Sequence, residues 1–144
     1  MDGEIVSVHR KCDVKHGWIN NPTYMDVIIY KIVCKDPSVT ETYVGQTRKF
    51  DQRKFYHELS CETCETKLYK CIRLHGGWSN WDMISLCEYV CNHIESLKME
   101  WYWWRELSAE LNSVIPGIKH IRKDTKRPDF ETYIQELELE CRRY

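Results

Sequence analysis

Two tyrosines that a β-hairpin could set side by side, an arginine and a histidine one helical turn apart, and a C-x-x-C flanked by histidines are the groups whose types and spacing could do chemistry. Tyr30 lies in the apolar run 27–34 and Tyr43 in the short run 40–45, with Asp36, Pro37 and Ser38 as turn chemistry between them. Placing Tyr30 opposite Tyr43 pairs 33 with 40 and 34 with 39, leaving 35–38 as the loop. Opposed residues project on one face of an antiparallel pair, so both phenols share a face, and a one-residue slip would separate them. A phenol ionises near pH ~10 and acts as a base only where a cation lowers that value. Arg53 and His57 follow at helical spacing, a permanent bidentate anion donor beside an imidazole. Taken singly, each has a plainer reading: a strand tyrosine is usually a packing residue, and an arginine and histidine on a helix are usually a solvated face.

Cys61-Glu62-Thr63-Cys64 has His57 before it and Cys71 and His75 after it, so a zinc site is conceivable. A second C-x-x-C or a paired histidine at standard spacing is missing, and Cys71 falls on an apolar helical stripe with Leu68 and Ile72. These thiols read as small core hydrophobes, and zinc is disfavoured. Eight cysteines would suit a secreted disulfide domain, but residues 1–14 hold no apolar signal core. No apolar run approaches the ~20 residues that span a bilayer. The expectation is an intracellular protein, cytoplasmic or nuclear, not secreted and free of membranes, with reduced thiols.

The elements that must position these groups follow from periodicity. After the hairpin comes a helix carrying Phe50, Arg53 and His57, then a second from Thr66 to Leu74 that stops at Gly76-Gly77. A third strand runs from Trp81 to Tyr89 and a long helix from about His93 to Leu111, ended by Asn112 and Pro116. On that helix Trp103 and Trp104 continue an apolar stripe to Leu107 and Leu111 and read as core; Trp101 and Tyr102 lie off it. The order ββααβα predicts a small α+β domain, a three-stranded antiparallel sheet flanked by helices. Residues 1–26 form an N-terminal extension, 27–115 the domain, and 116–144 a basic linker and a C-terminal helix. Phe130, Ile134, Leu137 and Cys141 give that helix a coiled-coil-like seam. Two heptads are too short to specify a dimer, so packing back on the domain is expected and dimerisation is the other outcome.

The formal net charge is -1, yet charge is segregated. Residues 48–57 hold four Lys/Arg against one Asp, and 119–127 hold five against one, while 128–144 carry five acids against two arginines. The neutral total counts against bulk coating of nucleic acid, and not against local phosphate contacts.

Ile28-Ile29-Tyr30, then Tyr43-Val44-Gly45 followed by Gln46-Thr47, then Arg53 and His57, then Glu100 with Trp103, Trp104 and Leu107, together resemble the GIY-YIG nucleases. That family includes intron-encoded homing endonucleases, some restriction enzymes and the incision domain of bacterial excision repair. Ile28 stands where its glycine normally sits, a departure at a position that is not itself catalytic. Leu74-His75-Gly76-Gly77-Trp78 resembles the turn before the third strand, and Asn112 the asparagine closing the domain; both look most like members carried by large DNA viruses. The resemblance implies a divalent-metal-dependent DNA endonuclease. Its catalytic residues would be Tyr30, Tyr43, Arg53, His57 and Glu100, with Glu100 the ligand of one Mg²⁺ or Mn²⁺ and Gly45 and Asn112 structural. Lys31, Arg48, Lys49, Lys119, Arg122, Lys123, Lys126 and Arg127 are the residues expected to contact DNA. Glu95 and Glu106 compete with Glu100 on spacing alone. Ile28 and the neutral charge sustain a second reading, a catalytically silent nucleic-acid-binding or assembly module of the same fold.

Overall fold

The computed structural model describes residues 24–117, together with Thr132, Gln135 and Glu136. Strand β1, Met25–Cys34, is the centre of a three-stranded antiparallel sheet ordered β2-β1-β3, with β2 at Thr42–Thr47 and β3 at Trp81–Cys91. Helix α1 spans Phe50–Ser60 and α2 spans Lys67–Leu74. A one-turn 3-10 helix, Trp78–Asn80, precedes β3, and α3 spans His93–Glu106. The expected α+β architecture is the observed one.

A central strand covered on both faces must be apolar at consecutive positions, which is why β1 reads as an unbroken run rather than an alternation. Val27 and Ile29 pack with Val44, Cys87 and Cys91 against Met99, Trp101 and Tyr102 of α3. Tyr30 and Ile32 pack with Trp81 and Met83 against Cys61 and against Leu68 and Ile72 of α2. The β1–β3 register shifts between Ile29, opposite Cys87, and Tyr30, opposite Ser85. The extra β3 residue at this bulge switches the strand's buried positions from one sheet face to the other.

Three expectations need correction. In the β1–β2 register Tyr30 faces Gly45 and Ile32 faces Tyr43, two residues away from the expected pairing. An Asx turn, Asp36 Oδ1 accepting from Ser38 N at 2.9 Å, tightens the loop, but β2 begins only at Thr42. The two-residue slip preserves side-chain parity, so the phenols still share a face. Helix α3 ends at Glu106, because Ser108 takes a φ of 49° and turns the chain. The stripe therefore does not run on to Leu111: Trp101 and Tyr102 are the buried pair, and Trp103 and Trp104 are half-buried at its margin. Among the described residues Cys34, Cys61, Cys64 and Cys71 are free, whereas Cys87 is disulfide-bonded, so the thiols are not all reduced. Spacing alone does not say which thiols a fold brings together.

Residues 1–23 of the N-terminal extension, the basic stretch 119–127 and the seam of the C-terminal helix lie outside the described residues, while Met25 and Asp26 already belong to β1; Thr132, Gln135 and Glu136 are helical and exposed. No helix among the described residues is long and apolar enough to cross a membrane.

Candidate active site

Gly45 is where the hairpin becomes a site. A Cβ there would sit 2.5 Å from Tyr30 Oη and 2.9 Å from Tyr43 Cε2, inside any van der Waals contact. Only glycine lets the Tyr30 ring lie across β2 and meet the Tyr43 ring, with centroids 6.3 Å apart. The Tyr-Val-Gly motif is thus a steric requirement of the paired phenols.

Edge strand β2 is held from outside by Asn112. Its Oδ1 accepts from Val44 N at 3.0 Å and its Nδ2 donates to Val44 O at 2.8 Å, a side-chain amide standing in for a neighbouring strand. Leu111 N donates to Thr42 O at 3.0 Å alongside. The residue between Tyr43 and Gly45 is therefore fixed at both its polar atoms.

Helix α1 buries a single residue, His57, which is 3% exposed. Its Nε2 lies 2.8 Å from Tyr30 Oη and its Nδ1 2.8 Å from Tyr69 Oη of α2, while the Trp78 ring stacks on it with centroids 6.1 Å apart. Burial and the Arg53 charge push the His57 pKa down to about 4, so the ring is neutral near pH 7 and has one donor and one acceptor nitrogen. Burial raises both phenols, Tyr43 up to about 12 and Tyr30 further; the Glu100 charge adds to each rise and the Arg53 charge opposes it. Tyr43 is also stabilised as an anion by a hydrogen bond from Tyr30.

Arg53 is exposed, and among the described residues it has no ion pair. Its charge is felt at Tyr30, Tyr43, His57 and Glu100, which makes it the cation common to the cluster. Glu100 approaches from α3, half-buried, with Oε1 accepting from Gln46 Nε2 at 2.8 Å. Burial raises its carboxyl, opposed by that hydrogen bond and by Arg53. The rival glutamates have other work. Glu95 closes a capping box with Asn92 at the start of α3, and Glu106 sits 3.8 Å from Arg105 at its end.

A divalent cation fits this carboxylate. Desolvation outweighs the compensation its negative charge receives from Gln46 and Arg53, Gln46 orients one oxygen, and the other has no hydrogen-bond partner among the described residues. Among those residues no three His, Cys, Asp or Glu side chains gather into a cage, so Glu100 would share such an ion with water and phosphate oxygens, as Mg²⁺ prefers. The C-x-x-C is organised otherwise. Arg73 Nη1 donates to the Cys61 and Cys64 carbonyls at 2.8 Å each, and Nη2 to Glu65 at 2.9 Å. His57, which a zinc site there would need, has both nitrogens on tyrosines.

Tyr30, Tyr43, Arg53, His57 and Glu100 thus come together, with Gly45 and Asn112 beneath them. Arg48 and Lys49 are exposed at the start of α1, whereas Lys31 is half-buried on the strand face opposite to Tyr30. Lys119, Arg122, Lys123, Lys126 and Arg127 lie outside the described residues. Tyr69, Trp78 and Gln46 are missed by sequence reasoning. Gln46 sits in a visible polar pair after the Tyr-Val-Gly, but nothing in the spacing points Tyr69 at His57.

No curated protein and no solved structure matches the chain. The family model described as the GIY-YIG catalytic domain matches residues 27–112 of 144, a span that contains the whole cluster. With more than half its length matched by that model, the chain belongs to the GIY-YIG family of nucleases.

Proposed function

We propose that this protein is a divalent-metal-dependent DNA endonuclease that hydrolyses phosphodiester bonds at the Tyr43–Arg53–Glu100 cluster. The observation that carries the reading is a half-buried carboxylate and a guanidinium with no ion pair among the described residues, both acting on the same two phenols. Mg²⁺ or Mn²⁺ held by Glu100 would supply positive charge to the phosphoryl oxygens and acidify water. Arg53 binds the scissile phosphate through its bidentate fork and stabilises the charge that builds on it. Tyr43 accepts the proton of the attacking water. Its raised pKa makes it a poor base in the free protein, so cations are needed before it can act.

Tyr30, His57 and Tyr69 set the proton order around that base. With the Nε2–H tautomer, Tyr69 donates to Nδ1, Nε2–H donates to Tyr30, and the Tyr30 hydroxyl is left pointing at Tyr43. Every donor then points toward the phenolate that must form. His57 is thus a positioning residue, as is Tyr69. Arg48 and Lys49, and the basic stretch 119–127, contact flanking phosphates.

Incubation of supercoiled plasmid and of branched DNA with Mg²⁺ or Mn²⁺ tests the reading. Nicked or linear product that disappears with chelator is expected. Failure to cut any substrate, with DNA binding retained, would establish the silent binding module instead.

A further inference from the structure

Apart from His57, helix α1 buries none of its residues, and its outer surface carries large apolar side chains. Phe55 is 56% exposed, Tyr56 54% and Leu59 51%, and the Phe55 and Tyr56 rings touch with centroids 6.1 Å apart. At 3.6 residues per turn Tyr56 lies only about 60° around the helix from Arg53, on the side where Lys49 also projects. The acids Asp51 and Glu58 lie on the far side, about 150° from Arg53 in the other sense. Cations therefore border the ring at Tyr56.

We infer that Tyr56, backed by Phe55, is a stacking platform for an unpaired base beside the scissile phosphate, so the substrate is DNA with a gap, flap or junction. The inference rests on the nuclease reading and deepens it. Phosphates and sugars line the outside of an intact duplex, and the faces of its bases are stacked on one another. A half-exposed phenol ring has nothing to gain there, whereas an unpaired base offers a free π-face. The cations at 48, 49 and 53 decide between occupants: an apolar protein partner would leave them unneutralised, and a nucleic-acid strand neutralises them while its base covers the ring.

The test is binding in chelator, so that cutting is not required. A fluorescent duplex with a short single-stranded gap is compared with the same duplex intact. Wild type should prefer the gapped duplex. Tyr56→Ala should lose about 5- to 100-fold on it and little on the intact duplex. Tyr56→Phe should bind like wild type, since the ring and not the hydroxyl stacks, and the salt slope should not change because no charge is lost. Equal losses on both duplexes, no loss on either, or no binding to either would overturn the inference. So would self-association that Tyr56→Ala abolishes while DNA binding stays intact. Cleavage with Mg²⁺ separates the two readings: Tyr56-dependent binding without cutting defeats the nuclease alone, and wild-type-like binding and cutting by Tyr56→Ala defeats this inference alone.

Discussion

His57 shows how far burial can change a residue that looks ordinary in sequence. Its folded pKa of about 4 lies below the usual histidine value near 6.5, so the unfolded chain binds the extra proton between those pH values. Stability from this residue is present above pH ~6.5 and is lost as pH falls toward 4, by on the order of 3 kcal/mol. An NMR titration of the ring should show it neutral down to near pH 4, and a midpoint near 6.5 would contradict the buried relay. Tyr43 predicts the opposite end of the scale. If it is the base, the single-turnover cleavage rate should climb about tenfold per pH unit through pH 6 to 8. Tyr43→Phe should remove most of that rate, whereas Tyr69→Phe should lower it less and alter the pH profile; a Tyr69→Phe profile superimposable on wild type would remove the relay. At this scale the five candidate positions, Tyr30, Tyr43, Arg53, His57 and Glu100, were legible because the resemblance tied them to ordered motifs. Tyr69 was not, since its partner depends on how α2 docks, and that is set by Leu68 and Ile72 finding the core rather than by any local signal.

Among the elements, β2 bears the largest constraint, with a ring crossing it on one side and an asparagine amide fastened to its edge. Gly45→Ala should push Tyr30 from its place, cost about 1–3 kcal/mol in a urea melt and abolish cleavage; an unaltered melt would mean the rings are looser than described. Asn112→Ala should cost a similar amount, because it removes both bonds to Val44. Hydrogen exchange at the Val44 amide should quicken in that variant, and unchanged exchange would assign the edge to other contacts. Element types and order were readable from periodicity, as β-branched runs, glycine stops and helical stripes are local properties. The register was not. Hydrophobic parity is satisfied equally by pairings two residues apart, and the choice fell to the close fit of Tyr30 over Gly45. The end of α3 was likewise hidden, because apolar Leu107 and Leu111 extend the helical pattern past the turn at Ser108.

For the whole molecule, a net charge of -1 conceals a local concentration of cations around α1 and a second in 119–127. Charge reversal in the second stretch should weaken DNA binding and flatten its dependence on salt; an unchanged slope would remove it from the interface. The described residues hold one such candidate cluster, so under the proposed function a monomer would nick one strand, and a double-strand cut would take a second copy or a second encounter. All of this depends on the site being live, and Glu100 decides that. Side by side, wild type and Glu100→Ala are incubated with supercoiled plasmid and Mg²⁺ or Mn²⁺, and the rate of nicking is measured. The account predicts nicking by the wild type and background rates for the variant; equal rates from the two proteins would contradict it.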